Sequence, residues 1–150
     1  MALDSTRNVH IIRTTQPKGG QNWHELDLAA GTFKPIRTPD EVIKAAGKFP
    51  RSGLCEESVI YDPQAKVTLL ITKPRYDTTS PMDLWAYDAA KDEWSEVKMA
   101  GSPPHGMVQW GLLVYDPGHQ CCLLLDLLSI QGSPRWGGKV DGLFAFRLKK

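Results

Sequence analysis

Residues 58–97 read S-V-I-Y-D-P-Q-A-K-V-T-L-L-I-T-K-P-R-Y-D-T-T-S-P-M-D-L-W-A-Y-D-A-A-K-D-E-W-S-E-V. Four short runs stand here in series, at 58–61, 67–72, 84–87 and 94–97, and β-branched and aromatic residues fill them as they fill strands. Asp62-Pro63 opens a tight turn between the first two runs, because proline fixes φ and the aspartate carboxylate can accept from the backbone just beyond it. Residues 88–93 supply a second tight turn between the last two. The stretch predicts a four-stranded antiparallel meander.

Its parts recur on both sides. A slide of 54 residues lays Pro50-Arg51-Ser52-Gly53 on Pro104-His105-Gly106-Met107, and Val59-Ile60-Tyr61-Asp62-Pro63 on Leu113-Val114-Tyr115-Asp116-Pro117. The same slide puts Leu69-Leu70-Ile71 on Leu123-Leu124-Leu125. A slide of 61 lays His24-Glu25-Leu26-Asp27 and Phe33-Lys34-Pro35-Ile36 on Trp85-Ala86-Tyr87-Asp88 and Trp94-Ser95-Glu96-Val97. A slide of 59 puts Leu84-Trp85-Ala86-Tyr87 on Leu143-Phe144-Ala145-Phe146. Four-stranded units repeating at a period near 50 are the sequence signature of propeller blades.

These residues resemble the kelch family, whose wider group includes the propeller of galactose oxidase. The P-R-S-G and P-P-H-G segments stand ahead of strands ending Tyr-Asp, and Trp94 follows the D-L-W-A-Y-D strand by six residues. The resemblance runs over about residues 9–148. It departs from the family where a Gly-Gly pair usually ends the second strand, since Ile71-Thr72-Lys73-Pro74 and Leu125-Asp126-Leu127-Leu128 stand there instead. The resemblance implies an all-β fold of kelch-like β-propeller blades. It assigns no ligand, because propellers host many unrelated activities.

The remaining chain is read around that frame. Residues 1–8 are polar and read as a loose lead-in; 9–14, 23–28 and 33–36 read as strands of an opening partial blade. Thr38-Pro39-Asp40-Glu41 is a capping box with proline at the first helical position, and Gly47 follows the apolar residues, so a short helix is expected over 39–46. Residues 111–115, 120–125 and 143–148 read as three strands of a closing partial blade. The expectation is a single domain over 1–150, with blades near 9–36, 50–97 and 104–148 holding three, four and three strands. A ring needs about four to eight blades. The expected array therefore calls for further blades in cis, copies of itself, or a compact sandwich in place of a ring.

Composition narrows the function classes. Eighteen basic and 17 acidic residues are interspersed to a net charge of +1, with no basic stripe for nucleic acid and no apolar run long enough to span a bilayer. The charged opening residues do not read as a secretory signal. Three cysteines suggest buried, reduced thiols rather than a disulfide framework.

Strand order also sorts the loops. In a meander the first–second and third–fourth turns share one end, and they are short here. The second–third loops and the connectors share the other end and are long: 16–22, 37–57, 73–82, 98–109 and 129–141. Long loops on a stiff scaffold are where binding residues gather. Lys73, Arg75, Tyr76, Asp77, His105, Trp110, Arg135 and Trp136 are the candidate contacts, combining aromatic planes with directional polar groups suited to a glycan or a peptide. The competing reading is that such residues only shield the sheet ends. His119-Gln120-Cys121-Cys122 looks like a metal cluster, yet strand alternation sends adjacent thiols to opposite faces. No nucleophile–base motif or phosphate loop occurs. The expected function is a non-enzymatic interaction module without metal or cofactor, with no nucleic acid or membrane partner. The alternative is the C-terminal propeller portion of a larger carbohydrate-active or oxidase-like enzyme.

Overall fold

A computed structural model of the chain describes residues 1–15, 21–48, 58–72, 82–101, 112–126 and 142–148. They form three antiparallel sheets, each a meander of sequence-consecutive strands. The first holds β1 (Ala2–Asp4), β2 (Val9–Thr15), β3 (Gln21–Asp27) and β4 (Thr32–Ile36). The second holds β5 (Ser58–Asp62), β6 (Val67–Thr72), β7 (Asp83–Asp88) and β8 (Glu93–Val97). The third holds β9 (Leu112–Asp116), β10 (Cys121–Asp126) and β11 (Gly142–Phe146). None of these sheets closes on itself.

The described strands are thus grouped four, four and three, against the expected three, four and three. The added strand is β1, in the stretch read as a loose lead-in. Ala2 pairs with Ile11 and Asp4 with Val9, and Ala2 and Asp4 are both buried. Three residues are too few to show an alternation, which is why hydropathy misses this strand.

Five hairpins share one turn chemistry. Asp4, Asp27, Asp62, Asp88 and Asp116 each end a strand, and each Oδ1 accepts the backbone N–H two residues on, from Thr6, Ala29, Gln64, Ala90 and Gly118. Four residues after each aspartate the backbone turns left-handed, at Asn8, Gly31, Lys66, Asp92 and Gln120. The carboxylate satisfies amides that the reversal leaves unpaired, and the left-handed residue redirects the chain into the returning strand.

α1 (Pro39–Ala45) lies between β4 and β5 and is the one helix among the described residues. Thr38 holds the extended N-cap conformation but makes no side-chain cap bond, so the expected capping box is not formed. Pro39 instead sets the first turn, and Asp40 and Glu41 face the positive end of the helix dipole. At the other end Gly47 is left-handed, with its N–H on the Lys44 carbonyl and the Lys48 N–H on the Ile43 carbonyl. Those two bonds make a Schellman stop. Ile43 is fully buried and anchors the helix to the first core.

The second sheet is the middle layer, apolar on both faces. Leu70, Trp85 and Tyr87, with Trp94 of β8, pack against Ile11, Trp23 and Ile36 of the first sheet. Leu69, Ile71, Leu84 and Ala86 pack the other way, against Leu113, Cys122 and Leu124 of the third. Alternation along β6 and β7 sends neighbouring side chains into different cores, so the continuous L-L-I run is buried throughout. The first strands of the three sheets lie side by side, β1 against β5 and β5 against β9.

Candidate functional site

The eight residues expected on the long-loop face are Lys73, Arg75, Tyr76, Asp77, His105, Trp110, Arg135 and Trp136, and all lie outside the described residues. The chemistry of the described residues gathers in three other places.

The first is a polar network at the short-turn end, where the first and second sheets meet. Arg7 lies in the β1–β2 turn, its Nε donating to Asp4 Oδ2 at 2.6 Å and its Nη1 to Glu25 Oε1 at 2.6 Å. Thr6 Oγ1 donates to Asp4 Oδ1 at 2.7 Å and lies 2.8 Å from the Tyr61 hydroxyl, which ties the turn to β5. Asp4 and Glu25 are 3% and 7% exposed, so both carboxylates are nearly removed from water. Burial alone would push the Asp4 carboxyl upward, but bonds from Thr6, Arg7 and Tyr61 outweigh it and hold the group below its usual range. The network therefore holds Asp4 as an ionised carboxylate bonded through both oxygens, a clamp that ties the β1–β2 turn to β3 and β5. In the sequence Tyr61 stands out only as the residue before an Asp-Pro turn, and nothing local joins it to Arg7 or Glu25. The D-x-x-x-N pattern at Asp4–Asn8, matching D-P-Q-A-K at Asp62–Lys66, was the available signal.

The second is the pair Cys121 and Cys122, both free and both buried. Cys122 faces the second core, and burial pushes its thiol up to about 12. It is therefore protonated and unreactive at neutral pH. His119 Nδ1 lies 2.6 Å from Asp116 Oδ2 in the exposed turn, away from Cys122 in the core. Among the described residues no group of three or more His, Cys, Asp or Glu side chains is placed to hold a metal ion.

The third place is apolar. Between the second and third sheets a cleft of about 440 Å³ is lined by Met82, Leu84, Val97 and Met99 on one side and Leu124, Phe144, Phe146 and Leu148 on the other. A shallower groove runs where the first strands adjoin, touching Leu3, Ile60 and Tyr115. The outer faces of the stack also carry apolar side chains, interrupted on the first sheet by His10 and His24. A cross-strand row Leu3–His10–Leu26–Phe33 covers the first sheet, and Val114–Leu123–Ala145 crosses the third. Phe33 and Leu143 are 58% and 65% exposed. Trp85 and Trp94, by contrast, are enclosed in the first core.

No family model, no curated protein and no solved structure matches this chain.

Proposed function

We propose that the chain is a run of kelch-like β-propeller blades acting as a non-enzymatic interaction module. In this reading its long-loop face binds a protein or glycan, and its two outer sheet faces pack against further blades, in cis or from another copy. The observation that carries the reading is the asymmetry between the layers. The middle sheet is buried on both faces, while the outer two repeat the same apolar rows toward solvent. Phe33 stands at the repeat position of Trp94, which is buried because a sheet lies in front of it. Wet apolar rows on both ends of a stack mark contact surfaces. The clamped carboxylates and the protonated Cys122 thiol fit a binding role better than a catalytic one.

Sedimentation velocity of the full chain over a roughly hundredfold dilution tests the packing claim, because association linked to exposed faces follows mass action. Assembly that dissociates on dilution, and that Phe33→Glu or Leu143→Glu weakens, is the expected result. A monomer at every concentration, unchanged by either variant, would remove the support for end-to-end packing.

A further inference from the structure

The third sheet differs from the other two in a way that defines a site. In the first and second sheets the third strand is paired on both sides, β3 by β2 and β4, β7 by β6 and β8. In the third, β11 has one strand neighbour among the described residues, β10. Among the described residues no strand pairs with its other edge, and an open strand edge is the template for adding a strand.

The cleft lies at that edge. A fourth strand beside β11 would send alternate side chains toward Val97, at the end of β8, and Met99 just beyond it, both of which line the cleft. The chain itself shows what fills this position one layer over. There the fourth strand, β8, seats Trp94 against Trp23 with ring centroids 5.3 Å apart, leaving Trp94 4% exposed. Between the second and third sheets Phe144 and Phe146 line the space, but among the described residues no fourth strand adds a ring, and about 440 Å³ stays open. The charged residues lining the cleft are the exposed cations Lys98 and Arg147; Arg147 donates through Nη2 to the His119 carbonyl, so Lys98 supplies the charge for an occupant.

We propose that the β11 edge and this cleft together take up an extended peptide strand from a partner. The occupant carries an aromatic residue for the cleft and acidic residues beside it for Lys98. Main-chain pairing to β11 supplies register, the aromatic ring supplies buried area, and the flanking charges supply selectivity. None of the residues named for this site is among the eight long-loop candidates, so either reading can fail without the other.

The probe is a fluorescent peptide with the sequence of residues 92–97, Asp-Glu-Trp-Ser-Glu-Val, titrated with the full chain and read by anisotropy. Saturable binding is expected, weakened by roughly tenfold or more when the peptide's Trp is replaced by Ala. Charge reversal at the exposed Lys98 (Lys98→Glu) weakens it too, and circular dichroism confirms that this variant stays folded. Two further peptides, N-methylated at even or at odd positions, separate strand pairing from apolar adhesion. Only alternate amides of an added strand face β11, so one series loses binding and the other keeps it. A chain with Arg75, Tyr76 and Trp136 all changed to alanine keeps peptide binding, which isolates this site from the long-loop reading. The proposal is overturned by no saturable binding, by equal binding of both methylated series, or by self-association that already protects the β11 amides and that the peptide cannot displace.

Discussion

The two cores on either side of the middle sheet are built differently. The first is aromatic and cross-linked. Trp23, Trp85, Tyr87 and Trp94 fill it, α1 docks Ile43 into it, and polar bonds stitch its rim. Trp94 Nε1 donates to the Arg37 carbonyl at 2.8 Å, and Asp92 Oδ1 accepts both the Tyr87 hydroxyl at 2.8 Å and the Arg37 N–H at 3.0 Å. Lys48, just past α1, pairs with Asp83 and Glu96 of the middle sheet. The second core is largely aliphatic and opens into a cleft at β11. A fourth strand with a ring on it, plus a helix as a buttress, closes one interface, and among the described residues the other has neither. Apolar residues suffice to bring two sheets together, but sealing their diverging outer strands takes a large side chain held by polar anchors.

The largest expected effect breaks the first core. Trp85→Ala should cost about 3–5 kcal/mol in denaturant unfolding, because the ring is 1% exposed and its surroundings are tied too firmly to collapse. Leu124→Ala in the second core should cost less, about 2–3 kcal/mol, since Phe144 and Phe146 border open space and can relax into the gap. Equal losses at the two positions would mean that the cores do not differ in rigidity.

Asp4→Asn probes the clamp between the first and second sheets and should cost about 2 kcal/mol, because bonds to a charged acceptor are lost and Arg7 keeps one carboxylate partner instead of two. A pH series sharpens the point. The folded-state carboxyl of Asp4 sits below its unfolded value of about 3.9, so its contribution is complete above that pH and is lost as pH falls through the folded value. The wild type should therefore lose stability on acidification more steeply than Asp4→Asn. Parallel pH profiles would show that the carboxylate adds nothing.

How much of this was legible in the sequence follows from the range of each interaction. The slides of 54, 61 and 59 land strand on strand, β5 and β6 on β9 and β10, β3 and β4 on β7 and β8, β7 on β11, because alternation and turn residues are local signals. The helix was legible from Pro39 and Gly47, although the Thr38 cap bond expected beside them does not form. β1 was hidden by its length, while its turn, Asp4 to Asn8, carried the signature shared by the other four hairpins. The turn of the clamp, Asp4 to Asn8, was legible, but its joining of Arg7 in that turn to Glu25 and Tyr61 on two separate strands was not, since only register and sheet packing determine it. The candidate loop residues fall outside the described residues, so the site expected there stands as a proposal.

The smallest expected effect concerns the rim of the first core. Tyr87→Phe removes the bond to Asp92 while keeping the ring that lies 5.1 Å from Trp94, and should cost about 1 kcal/mol. A loss as large as that of Trp85→Ala would place the anchoring in the hydroxyl rather than in the packed rings.

Native-state hydrogen exchange, resolved strand by strand, tests the layered arrangement most directly, since amides open from the least to the most enclosed elements. β6 and β7, covered on both faces and paired on both edges, should exchange slowest of all and only with global unfolding. β1 and β11, at sheet edges in the outer layers, should exchange first. Exchange in β6 and β7 as fast as in β1 or β11 would contradict a middle sheet enclosed between two others.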